Sequence, residues 1–154
     1  MNKITGFCAI ILIFLFVICS LSYAEAIDIG KLVDNFQAAT DLQKNQILQD
    51  NLGKEISAGG TAGNAGEYDF FDTVNDVKGT YYQVSTEQQQ TKNNTPYQVV
   101  FLFKDKDKAK DINKGQGIQK DGKIIKINDE GLQIAVWIFC GELTESDKAL
   151  FKQN

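Results

Sequence analysis

Apolar positions recur along this chain with three different periods, and the changes between them divide it. Residues 7–21 are continuously apolar apart from Ser20. Leu32, Val33, Phe36 and Ala39 then fall three and four apart, which predicts one buried helical face over residues 28–39. Thr40 with Gln43 three residues on fits a capping box, so a second helix is expected through Ile47 and Leu48 to Asn51, ended by Gly53. From Lys54 onward the period becomes two, the spacing of a strand. The two helices are expected to cover one open end or side of this β-part. Strands are predicted at 54–65, 79–86 and 96–103, and a closing pair around the polar turn 128–131. Gly59, Gly60 and Gly63 weaken the first as a regular strand and suit bulges and strong coiling instead. In the third, Tyr97, Val99, Phe101 and Phe103 point one way and Gln98, Val100 and Leu102 the other. The closing pair joins Ile124, Ile125 and Ile127 to a second run, 132–140. There Leu132, Ile134, Val136, Ile138 and Cys140 make a face that can be fully buried, with Gln133, Ala135, Trp137 and Phe139 opposite. Thr144 with Asp147 predicts a capped C-terminal helix, docked by Ala149, Leu150 and Phe151.

The polar segments between strands carry the candidate chemistry. Residues 67–76 interleave Tyr68, Phe70 and Phe71 with Glu67, Asp69, Asp72 and Asp76, and read as a loop or an irregular strand end. Their acids lack the order and the glycine of an EF-hand, and so do Asp105, Asp107 and Asp111. No metal or other cofactor is therefore expected. The glycine-rich stretch 54–65 lacks the Gly-Lys-Ser/Thr ending of a phosphate-binding loop. Residues 87–95 contain no apolar side chain and read as a mobile hairpin loop ended by Pro96, the chain's one proline. Residues 104–114 alternate in charge and read as a short exposed helix or a turn.

Composition narrows the function classes. The 154 residues include 16 lysines, no arginine and no histidine. Histidine is the commonest neutral-pH base and metal ligand; arginine is the usual fork for phosphate and guanine. No residue spacing marks an active site, and an enzyme is not expected. Lys3 followed by the apolar run and by Ser22-Tyr23-Ala24 reads as a signal peptide, residues 1–24, cut after Ala24. A retained anchor and a lipid on Cys19 are the alternatives; the apolar run falls short of the ~20 residues that span a bilayer. Membrane contact is then confined to the uncleaved precursor, and the mature protein is periplasmic or secreted. It would carry 15 lysines against 20 acids, a net charge of −5, and Cys140 as its single cysteine. No internal disulfide is possible, and Cys140 reads as a small core hydrophobe. The acids are unevenly placed. Residues 104–126 hold 8 lysines against 4 acids, a local excess of +4 able to steer an anionic ligand.

The order of elements, helices followed by three strands, a connector and two more strands, is the plan of the OB-fold, a small, partly open Greek-key barrel. Residues 111–127 (DINKGQGIQKDGKIIKI) resemble the fourth-strand signature of the tRNA-anti-like OB-fold family through Ile112, Lys114-Gly115, Ile118, Gly122 and residues 124–127. Residues 42–57 are similar to the helix and glycine-lysine entry into strand one of exported bacterial members. The resemblance covers roughly residues 30–143. It implies a mainly β fold, a five-stranded OB-fold barrel over residues 54–143, with an N-terminal helical segment (25–53) and a short C-terminal helix (144–154). The family name implies nucleic-acid binding, but its members are mostly of unassigned role and fold does not determine function. An acidic chain without arginine favours an envelope protein or glycan as partner, held by Tyr68, Phe70, Phe71, Tyr81, Tyr82 and Tyr97 together with the loop at 87–95. The alternative is single-stranded nucleic acid or another polyanion, held by Lys104, Lys106, Lys108, Lys110, Lys114, Lys120, Lys123 and Lys126. The oligomeric state is not determined by any of these features.

Overall fold

A computed structural model describes residues 27–72 and 77–152. The signal-peptide reading (1–24), Asp76 and the last two residues lie outside the described residues. The elements are α1 (Ile29–Ala38), α2 (Asp41–Asn51), β1 (Glu55–Asp72), β2 (Val77–Thr86), β3 (Gln89–Gln90), β4 (Pro96–Phe103), α3 (Lys106–Lys110), β5 (Gly117–Asp129), β6 (Ile134–Phe139) and α4 (Glu145–Lys152). No described helix is long and apolar enough to cross a membrane.

The protein is mainly β. Its six-stranded sheet runs β2-β1-β5-β6-β4-β3, and a further pairing of β2 with β4 closes five of the strands into a ring. β4 and β6 are parallel, and every other described pair is antiparallel. Closure requires strands to change partners along their length. β5 pairs with β1 through residues 117–123 and with β6 through 123–129, a bulge falling between Ile124 and Lys126. β1 pairs with β5 through 55–61 and with β2 through 62–72, again with a bulge, at 62–65 in the glycine-rich stretch. Bulges add local bend and twist, which a tightly curved ring needs.

At Gly122, where β5 leaves β1 for β6, a Cβ would lie 2.5 Å from the Phe139 carbonyl oxygen and 2.6 Å from Ile138 Cγ2. Gly122→Ala is therefore expected to cost about 1–3 kcal/mol through overpacking, read as a lower urea midpoint with an unchanged slope.

Two cores result. The inner one draws Ile56, Val84, Phe101, Ile124, Ile138 and their neighbours from all five ring strands, with Leu32, Val33 and Phe36 of α1 covering it. The outer one lies on the other side of β4 and β6. It joins Val100, Leu102, Ala135, Trp137 and Phe139 to Phe70 of β1, Tyr81 of β2, Ile125 of β5, and Leu150 and Phe151 of α4. Every residue of β6 is buried, because both faces of the strand are covered. At about 25 cal/mol per Å² of apolar surface removed from water, this second layer adds stability that a ring with one wet face would lack.

The helical caps are as the spacing predicts. Thr40 and Gln43 close a capping box on α2. At α4 the Thr144 N–H donates to Asp147 at 2.8 Å and the Asp147 N–H to the Thr144 hydroxyl at 3.3 Å. Leu150 and Phe151 dock α4, while Ala149 is exposed. α2 is only loosely seated: Ile47 and Leu48 are half-buried and none of its residues is buried fully.

Several expectations need correction. The first strand does not end near residue 65 but continues through Asp72, so of the two readings of 67–76, a loop or a strand end, the described part is strand. Glu67 and Asp69 lie on the solvent side of its alternation. The last strand begins at Ile134; Leu132 stays 87 % exposed in the turn, and Cys140 is half-buried beyond the strand end. The segment 87–95 is not free. Gln89–Gln90 pair with β4, and Asp34 of α1 accepts hydrogen bonds from the Thr91 and Thr95 hydroxyls at 2.6 and 2.7 Å and from Asn93 Nδ2 at 2.8 Å. Polar composition suggested a mobile loop because Asp34, the acceptor that holds it, lies in a different element.

A two-stranded ribbon as the candidate binding site

Beyond the ring, the ends of β1 and β2 run on as a two-stranded ribbon. Its register sets Tyr68 opposite Tyr81 and Phe70 opposite Gly79, so these positions share one face. Glu67 opposite Tyr82, Asp69 opposite Thr80 and Phe71 opposite Lys78 share the other.

The first face is turned onto the protein. Phe70 is 1 % exposed. Its ring centroid lies 4.8 Å from Tyr68, 5.5 Å from Tyr81, 4.8 Å from Phe151 and 6.4 Å from Trp137, all tilted or edge-to-face. Tyr68, half-buried, meets Trp137 edge-on at 4.9 Å. These aromatics bind one another. The expectation that Phe70 and Tyr81 face a ligand is therefore corrected: both are buried because β6 and α4 bring Trp137, Phe139 and Phe151 against them. Tyr97 is corrected as well. It is buried in the inner core, where its hydroxyl donates to Gln89 Oε1 at 3.2 Å and burial raises its pKa.

The second face meets solvent. Phe71 is 51 % exposed. Lys78 Nζ lies 2.7 Å from Asp69 and 5.7 Å from the Phe71 ring centroid, within cation–π reach. Thr80 donates to Asp69 at 2.8 Å. Together Lys78 and Thr80 hold the Asp69 carboxyl below its ordinary range. Lys106 of α3 reaches Glu67 at 3.3 Å and sits 5.6 Å from the ring centroid of half-buried Tyr82. The acids of this face are thus paired with lysines, and the surface presents alternating charge around one open aromatic ring.

The ribbon is anchored through Asp147, which is 2 % exposed. Its carboxylate accepts from the Tyr81 hydroxyl at 2.7 Å and from the Thr144 hydroxyl at 2.6 Å, and pairs with Lys104 at 2.7 Å. Burial opposes ionisation, but Lys104, Thr144 and Tyr81 overcome it and bring the pKa down to about 2. Desolvation, reinforced by the neighbouring Asp147 carboxylate, drives the Tyr81 phenol upward, so it remains a donor.

The eight lysines of 104–126 do not line one groove. Lys104 is held by Asp147, Lys106 by Glu67, and Lys126 lies over Trp137 with its pKa lowered by burial. Lys108 and Lys110 are on α3, Lys114 is in the following turn, and Lys120 and Lys123 are on β5, with Lys123 opposite Glu55. No group of three or more acidic or thiol side chains among the described residues is placed to hold a metal ion. Burial pushes the Cys140 thiol up to about 12, so it stays protonated at neutral pH.

Asp147, Trp137 and Phe151 organise this region, and none was a sequence candidate for it. The available signals were the chain's single tryptophan, Trp137, and the Thr144/Asp147 cap with Phe151 that predicted a docked C-terminal helix. The chain matches no protein-family model and no curated protein.

Proposed function

We propose that this chain is an exported, non-catalytic binding protein with an OB-fold barrel, engaging an envelope protein or glycan through the solvent face of the β1–β2 ribbon. The observation that carries the reading is Phe71. It stays half-exposed beside the Asp69–Lys78 ion pair while its alternating neighbour Phe70 is buried. An open aromatic ring among paired charges suits an aromatic-anchored contact with a polar rim, as in protein recognition, or stacking on a sugar.

The fold assignment is supported by the ring order β1-β2-β4-β6-β5, by β4/β6 as the only parallel pair among the described strands, and by the short helix between β4 and β5. The resemblance to the tRNA-anti-like family gains support from its glycines. Gly115 takes the left-handed conformation at φ +82° and its N–H donates to Ala62 at 2.7 Å, while Gly122 sits where no side chain fits. Export rests on the character of residues 1–24. A binding rather than catalytic role rests on the composition, which has no histidine and no residue spacing that marks an active site.

The test is capture from envelope extract by immobilised residues 25–154, comparing wild type with Phe71→Ala. A partner held by the wild type and lost from the variant is expected, with the two proteins equally stable. A partner retained by the variant removes the ribbon as the site. Labelled single-stranded DNA is expected not to bind saturably at low salt, since three of the eight lysines are already engaged. Saturable, salt-weakened binding would establish the polyanion alternative instead.

A further inference from the structure

A recess lies away from the ribbon's solvent face. It is a cleft of about 310 Å³ between the end of α2, β5 and α4, lined by Leu52, Gly53, Lys123, Ile124, Ile125, Leu143, Lys148 and Phe151. That volume is at the small end for ligand pockets, roughly 300–1,000 Å³.

Its wall is apolar for a local reason. Alternation along β5 sends Ile124 to the inner core and Ile125 to the outer, and the bulge that follows returns Ile127 to the inner side. Phe151 and half-buried Leu143 complete the α4 side. On the α2 side, the Gly53 N–H donates to the Ile124 carbonyl at 2.7 Å and sets Leu52 at the opening. The charges in the lining are of one sign, Lys123 and Lys148. Lys148 Nζ is 2.7 Å from Glu145, but Glu145 is 89 % exposed. A surface pair of that kind contributes little and is easily exchanged for another carboxylate.

We propose that this cleft binds a small anionic amphiphile, a fatty carboxylate of medium chain length, with its chain against Ile125, Leu143 and Phe151 and its head group between Lys123 and Lys148. The charge of the lysines selects an anion, and the apolar wall selects a ligand that is mostly hydrocarbon. The cleft shares Phe151 with the ribbon's buried face but lies apart from its solvent face, so the proposal stands whether or not that face binds a partner.

Residues 25–154 contain every residue of both cores, and ¹⁵N-labelled protein of that length can be titrated with sodium octanoate and, separately, with uncharged octanol. Octanoate is expected to shift the amide signals of Gly53, Ile125 and Leu143 saturably. Octanol and the Lys123→Gln/Lys148→Gln double variant should each weaken binding by about tenfold or more, because both remove the charge-assisted contact. The octanol comparison uses the wild-type protein, so it does not depend on the variant folding. Equal affinity for octanol and octanoate, full affinity in the double variant, or shifts scattered away from the cleft would overturn the proposal.

Discussion

Phe70→Ala will destabilise the protein by about 3–5 kcal/mol, the range for truncating a buried phenylalanine. Phe70 is central to an aromatic cluster supplied by β1, β2, β6 and α4, and the cavity left behind cannot easily collapse. Tyr68, Tyr81, Trp137 and Phe151 around it belong to four different elements, each held by its own pairings or docking. Removing the ring also removes its edge-to-face packing, which adds to the cost of returning apolar surface to water. Phe71→Ala, one residue on, should stay within about 0.5 kcal/mol of wild type, as surface substitutions do. Equilibrium urea unfolding of the two variants checks both values. A Phe70→Ala cost below about 1 kcal/mol would mean that the ribbon does not lie on β6 in solution, and both its faces would then be open. The contrast also separates stability from recognition, since Phe71 is the residue expected to matter for binding.

Asp147→Asn will cost about 2 kcal/mol at neutral pH and remove part of the acid unfolding slope. The folded carboxyl titrates at about 2 against an ordinary 3.8, and each unit is worth about 1.4 kcal/mol. Because the folded value is the lower one, the stabilisation is fully present above pH 4 and is lost as pH falls from about 4 to about 2. The asparagine variant carries no proton-linked contribution at this position, so its urea midpoint should fall less steeply over that interval. Some slope will remain. Asp34, held down chiefly by Thr91 and Thr95, Asp69 by Lys78, and Asp129 by the Gly131 N–H and Lys44, titrate in the same direction. An unchanged slope in the variant would place Asp147 outside the linkage and leave the Lys104 contact without energetic weight.

The sequence alone determined the features that depend on neighbours in the chain. Alternation in 96–103 specified both faces of β4, and Thr40/Gln43 and Thr144/Asp147 marked two helix starts through contacts three residues long. The glycines at 59, 60 and 63 announced an irregular, coiled strand, and a bulge lies there. Part of the extension of β1 was written in residues 67–70, where acids alternate with aromatics; acidity masked a period-two pattern whose polar side meets water. Tertiary structure decided what covers the second face of β4 and β6, and therefore which aromatics are open. Phe70 and Phe71 are adjacent and identical, yet one is buried and one exposed because α4 and Trp137, more than 60 residues away, occupy only one side of the ribbon. The same distance separates Tyr81 from Asp147, and 57 residues separate Asp34 from Thr91. Local pattern fixes the side of a strand on which a residue stands. Whether that side is dry depends on long-range packing, which no short window of sequence contains.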